Sequence, residues 1–309
     1  MIDLHCHLDG SLSVADVLAL SNMTGTPLPT RDPRELFSLL TFSGRGTLNE
    51  YLKKFDLPLR LLSRAECVEY AVASISERLA ACGVDYAEIR FAPALHLGEG
   101  ATMREIVQGA LKGRMRAKIP LNLKLCCMRG RGVKENAEVV ELAAEYSADG
   151  VVGVDLAGAE ALYPTSDCKE VFSLAARLGL NITIHAGEAA SADSVRAALD
   201  FGARRIGHGV AAAKDAVLLE RIKRDGIALE VCPTSNVQTG AVGSIAEHPV
   251  RRFLAEGVPC IICSDNMTVS DTDAAKEIDK LKKAFPDESP RIDECVQSAR
   301  RYSFERREV

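Results

Sequence analysis

Along the chain, short runs that are apolar at nearly every position alternate with longer stretches whose apolar residues recur every three or four positions. The short runs are IDLHCH, DYAEIRFAP, LNLKLCCM, GVVGVDLAG, LNITIHAGE, RRIGHG, IALEVCP and VPCIICSD. Continuous apolarity over so few residues marks strands buried on both faces, as in a parallel sheet. The stretches between them carry helix signals. Ser63 with Glu66 forms a capping-box pattern before a helix that stops at Gly83, and Thr102 with Glu105 repeats it. DAVLLERIKRD (215–225) has helical spacing and ends at Gly226. Eight strands alternating with helices predict an α/β fold of the (β/α)8 TIM-barrel type. A doubly wound open sheet is the competing arrangement, because alternation alone does not require closure.

One stretch breaks the rhythm. Residues 11–82 separate the first strand from the second and read as several helices, among them VADVLALSNM, RELFSLL and LNEYLKKFDL. Asp32 followed by Pro33 starts one of them, with proline in the first turn. An insertion after a barrel strand sits over the face where the loops gather, so it is expected to form a pocket wall or lid. No repeat, low-complexity tract or linker divides the chain, and one domain over 1–309 is expected.

Composition narrows the partners. Hydrophobic residues make up 47% and charged ones 26% of 309, ordinary for a globular enzyme. A net charge of −5 argues against nucleic acid or an anionic membrane as partner. No uninterrupted apolar segment is long enough for a bilayer span. His and Asp interrupt the first ten residues, which therefore do not read as a signal peptide. Of ten cysteines, Cys126, Cys127, Cys232, Cys260 and Cys263 lie in apolar runs, where cysteine acts as a small hydrophobe. A reducing cytoplasm is the expected compartment. CIIC, Cys260 to Cys263, resembles a metal knuckle, but in a strand its two ends face opposite sides.

The chemistry lies at the strand ends. In the first strand His5 and His7 are one residue apart and face the same way. Asp9 follows them, Gly158 ends the fourth strand, and His185 and Glu188 end the fifth. His208 ends the sixth, Ser235 and Asn236 follow the seventh, and Asp265 and Asn266 close the eighth. Four of the six histidines thus occupy strand ends, where barrel enzymes gather their catalytic groups; His96 and His248 read as structural. Three imidazoles with a carboxylate suit zinc with one position open to water, whose pKa then falls from about 15.7 towards 7. A nearby His can accept or orient a proton, and a nearby Glu can donate one to a nitrogen. The set supports metal-assisted hydrolysis.

In order, HCHLDGS, EIRFAP, DLAGAE, HAGE, RIGHG, CPTSN and SDN closely resemble the adenosine/adenine deaminase branch of the amidohydrolases, over essentially the whole chain. The resemblance implies one zinc ion per chain held by His5, His7, His185 and Asp265. It implies that Glu188 protonates purine N1 while His208 and Asp265 manage the attacking water, releasing ammonia from C6. It further implies that the substrate meets His7, Gly158 at N3, and Asp9 at the ribose 5′-hydroxyl. Asp9 favours a nucleoside, since the adenine deaminases of the branch usually carry Glu in this motif. Adenosine, with 2′-deoxyadenosine, is the expected substrate. Adenine or another N6-amino purine derivative is the alternative, and a non-catalytic binding protein on the same barrel is a third reading. One position departs from the family: Asn266 stands where a second acid usually reaches N7. An amide donates to that acceptor at any pH, whereas Asp must first be protonated.

Overall fold

Each of the eight apolar runs forms a strand: β1 (Ile2–His7), β2 (Tyr86–Phe91), β3 (Leu121–Met128), β4 (Val151–Ala157), β5 (Thr183–Ala186), β6 (Arg205–His208), β7 (Ala228–Val231) and β8 (Cys260–Ile262). The structure, a computed structural model, describes residues 1–98 and 100–305. All strand pairs are parallel and follow chain order, β1 to β4 in one sheet and β5 to β8 in the other. Isolated bridges join the sheets at both seams, Val154 to Ile182 and Cys6 to Asp265. This is the ring order of a (β/α)8 barrel, with helices outside the strands. Apolar side chains such as Leu123, Leu125, Ile184 and Ile206 are fully buried, as continuous apolarity requires.

The helix signals hold with one exception. Thr102 and Glu105 form a reciprocal capping box at Met103–Met115, and Asp32 caps Pro33–Leu40. Asp215 caps Ala216–Arg224 through the Leu218 amide. The helix expected to start at Ser63 instead runs Ala65–Ala81 behind Arg64, with no side-chain cap. The Ser63 carbonyl accepts from the Gly98 amide at 3.1 Å.

The residues between β1 and β2 form helices that fold back over the strand ends. Backbone hydrogen bonds tie them to later loops, Phe42 N–H to Val269 O at 2.8 Å and Gly46 N–H to Gln238 O at 2.8 Å. Tyr51 and Phe55 are buried against Val269, with Phe42, Leu52 and Leu59 beside them. At the opposite end of the barrel the Arg205 guanidinium stacks 3.7 Å from the Phe304 ring centroid. All ten cysteines are free, and no helix among the described residues is long and apolar enough to cross a membrane.

Candidate active site

Strand alternation turns His5 and His7 towards the barrel axis, and the seam at β8 delivers their carboxylate neighbour. His7 N–H donates to Asp265 O at 2.7 Å and Asp265 N–H to His5 O at 2.8 Å. Two non-glycine residues here occupy the left-handed region, His208 at φ 65° and Asp265 at φ 59°. Such backbone is unfavourable for side-chain-bearing residues and persists only where surrounding contacts enforce it. It bends the chain at the ends of β6 and β8 and aims both side chains inward.

His5, His7, His185 and Asp265 offer ligand atoms that all lie within 4.8 Å of one another. His7 Nε2 and His185 Nε2 are 3.1 Å apart, and Asp265 Oδ1 lies 3.2 Å from His5 Nε2 and 3.4 Å from His7 Nε2. His5 Nε2 is buried without a hydrogen-bond partner. A buried imidazole nitrogen left bare, facing two more imidazoles and a carboxylate, fits a cation between them. The far nitrogens are already engaged: His5 Nδ1 meets Glu230 Oε2 at 2.7 Å and His185 Nδ1 meets Asp155 Oδ1 at 3.1 Å. Donation to these carboxylates puts each proton on Nδ1 and leaves the Nε2 lone pair for a metal. Arg90 then clamps both carboxylates, Nη1 to Asp155 at 2.7 Å and Nη2 to Glu230 at 2.8 Å.

Above this cluster lies a cavity of about 230 Å³. Its walls include Asp9, Gly158, Glu188, His208 and Asn266 at strand ends and Leu48, Tyr51, Leu52, Phe55 and Leu59 from the insertion. Glu188 Oε1 accepts from Thr239 Oγ1 at 2.9 Å, and its Oε2 lies 3.6 Å from His208 Nε2. Burial, reinforced by the charge on Asp265, pushes the Glu188 carboxyl up to about 7. Burial pushes Asp9 up to about 6 and His208 down to about 4. Asp9 Oδ1 and Asn266 Oδ1 are buried without partners. Gly10 allows Asn266 to lie there, since a Cβ on it would come 1.8 Å from Asn266 Oδ1. Gly158, at φ 106°, brings bare backbone to the cavity wall.

The structure therefore gathers every site residue expected from the sequence into one place. It adds others. Glu160 accepts from the amides of Gly187 at 2.6 Å, Glu188 at 3.0 Å and Ala189 at 2.7 Å, and so fixes the turn that carries Glu188. Thr239, Arg90, Asp155 and Glu230 join the site only through the fold. A signal for the last three was present: a charge inside an otherwise apolar strand must find a partner across the barrel. Of the two histidines read as structural, His96 lines no part of the cavity, but His248 Nε2 lies 3.1 Å from Asn236 Oδ1.

Residues 1–308 match the adenosine deaminase family. The chain is similar to the adenosine deaminase of Haemophilus ducreyi, 41% identical over 295 residues, covering 92% of this chain and 86% of that protein. It is 38% identical over 287 residues to the adenosine deaminase of Clostridium kluyveri, covering 91% and 82%. Among solved structures, the adenine deaminase of Arthrobacter aurescens superposes with a TM-score of 0.88 at 26% identity, covering 99% of this chain and 94% of that one. The N6-methyl-AMP deaminase of Arabidopsis thaliana gives a TM-score of 0.84 at 26% identity, covering 99% and 92%.

Proposed function

The chain belongs to the adenosine deaminase family, and on that premise we propose a zinc-dependent site in which adenosine and water become inosine and ammonia. The observation that carries the reading is the pairing of a four-ligand cluster with Glu188, a buried carboxyl poised near neutrality in the same cavity. Zinc held by His5, His7, His185 and Asp265 would supply Lewis acidity, lowering the pKa of a water towards 7.

The chain's own residues do the rest. Glu188, protonated, donates to purine N1 and makes C6 electrophilic. Asp265 and His208, both on the cavity wall, would orient and deprotonate the attacking water. His7 borders the substrate, the Gly158 backbone meets N3, and the Asn266 amide donates to N7. Asp9 accepts from the ribose 5′-hydroxyl, which supplies its bare Oδ1 with a donor. The insertion residues Tyr51, Leu52 and Phe55 cover the purine and exclude bulk water.

The relatives whose names specify adenine and N6-methyl-AMP define the competing substrates. A 5′-phosphate is disfavoured because both Nη atoms of Arg129, the one Lys or Arg among the cavity-lining residues, are already committed. Its Nη1 donates to Tyr163 O at 2.9 Å, and its Nη2 to Thr165 Oγ1 at 2.9 Å and to His185 O at 2.6 Å. Ammonia release from adenosine, 2′-deoxyadenosine, adenine and N6-methyl-AMP, alongside metal analysis, tests the proposal. The nucleosides should react fastest, with zinc near one equivalent per chain and activity lost on chelation. Preferential turnover of adenine would overturn the role of Asp9, and a fully active metal-free protein would overturn the zinc assignment.

A further inference from the structure

Asn236 and His248 are not needed to build the cavity, yet both are fully buried and joined in a chain of hydrogen bonds that ends on His208. The chain can be read from its far end, where the proton's position is fixed. Val250 N–H lies 3.0 Å from His248 Nδ1, and a backbone amide can only donate. His248 Nδ1 is therefore the acceptor, and a neutral His248 carries its proton on Nε2. Burial, with His208 nearby, lowers the His248 pKa to about 3, which keeps the ring neutral. His248 Nε2–H then donates to Asn236 at 3.1 Å, so the atom facing it is the amide oxygen. The other end of the amide, an NH2 group, points at His208 Nδ1 at 2.9 Å. An NH2 group cannot accept, so His208 Nδ1 must be bare.

We propose that Asn236 and His248 are positioning residues that set the tautomer of His208, holding its proton on Nε2 so that the ring presents an N–H, not a lone pair, to the reacting face. The inference rests on the placing of His208 beside the attacking water. Its consequence is a division of labour. His208 enters the reaction as a hydrogen-bond donor that orients the water, and Asp265 is left as the group able to accept a proton from it. Hydrogen-bond partners fix the tautomers of metal-ligating histidines in the same way, and their loss typically costs about 10–100-fold in metal affinity or activity.

The zinc-loaded protein, labelled with 15N-histidine, tests this directly, because the two neutral tautomers have different ring-nitrogen and carbon-proton correlation patterns. In the unaltered protein His208 should show Nε2 protonated and Nδ1 bare; the reverse pattern overturns the proposal without recourse to any variant. Asn236→Asp replaces the donor by an acceptor, so His208 must place a proton on Nδ1 to meet it. That variant should show the changed pattern, with kcat for adenosine down about 10–100-fold and KM little altered. His248→Gln, which retains an N–H for the amide oxygen, should preserve both tautomer and kcat, whereas His248→Leu should disturb both. An unchanged His208 pattern in Asn236→Asp, or an altered pattern at full kcat, overturns the proposal. The spectrum does not depend on the substrate. If adenosine is not turned over while His208 shows the expected pattern, the functional reading fails and the tautomer relay stands.

Discussion

Beneath the histidine cluster, Glu88, Arg90, Lys124, Asp155, Arg205 and Glu230 are buried, and their charged groups meet one another. Above it, Asp9 and Asn266 are also buried, but each keeps an oxygen with no partner, and His5 Nε2 between the two layers is likewise bare; in the floor only Arg90 Nε is left so. The floor residues come from β2, β3, β4, β6 and β7 and the mouth residues follow β1 and β8, but both layers are buried, so burial itself does not separate them. The floor has three cations facing three anions, each carboxylate held by at least two donors. Burial alone would raise Asp155 and Glu230; the cations and imidazoles around them outweigh it and hold both well below the ordinary carboxylate range. The mouth has acids facing acids, and burial wins there, pushing Asp9 and Glu188 upward. Paired buried polarity makes a rigid base, while unpaired buried polarity is costly unless a ligand supplies the missing partners.

The largest effect should come from the mouth. Glu188→Gln keeps the shape of the side chain but removes its acid proton, so kcat for adenosine should fall about 10²–10⁴-fold while zinc content is retained. The pH profile carries the same sign. An acid that must be protonated is lost as pH rises through about 7, so kcat/KM should decline on that side in the parent and show no such limb in the variant. Near-normal turnover in Glu188→Gln would remove this contrast between the layers.

Arg90→Met probes the floor. It strips both Asp155 and Glu230 of a buried cationic partner, and breaking a buried pair in this way typically costs about 3–5 kcal/mol. Urea unfolding should register that loss, and zinc should leave faster to a chelator, since His5 and His185 lean on the two carboxylates. Stability within about 1 kcal/mol of the parent would mean the floor carries less than its geometry suggests.

Substrate charge sharpens the comparison from outside. Placing a phosphate about 4 Å from Asp9 costs roughly 4 kcal/mol at an effective dielectric of 20, so adenosine should exceed its 5′-monophosphate several hundredfold in kcat/KM. Equal values would show that a cation reaches the 5′ position. Lys54, one of the insertion's cations, instead donates to the carbonyls of Ser38 and Leu39.

The smallest change is expected from Asn266→Asp. The new carboxyl donates to N7 only while protonated, so activity should persist at low pH and decline as pH rises through its pKa. A profile identical to the parent's would mean that position 266 does not touch the ring.

The sequence by itself determined the order of elements and which polar groups stand at the strand ends. Strand-end histidines and acids are legible because apolar runs locate the strands, and alternation tells which residues share a face. His5 with His7, Glu188 and Asp265 could be named on those grounds. What only the tertiary structure decided is how these groups are held. Arg90 and Glu230 are 140 residues apart and His248 lies 40 beyond His208, yet each pair acts through contacts of about 3 Å or through one intervening amide. No periodicity encodes such distances: hydrogen bonds across a barrel depend on which strands become neighbours and in what register. Likewise the capping pattern at Ser63 formed no cap, because the helix starts at Ala65 behind Arg64. Local pattern fixes which side of a strand a residue faces; the ring closing around it fixes whether it meets a partner or an empty place.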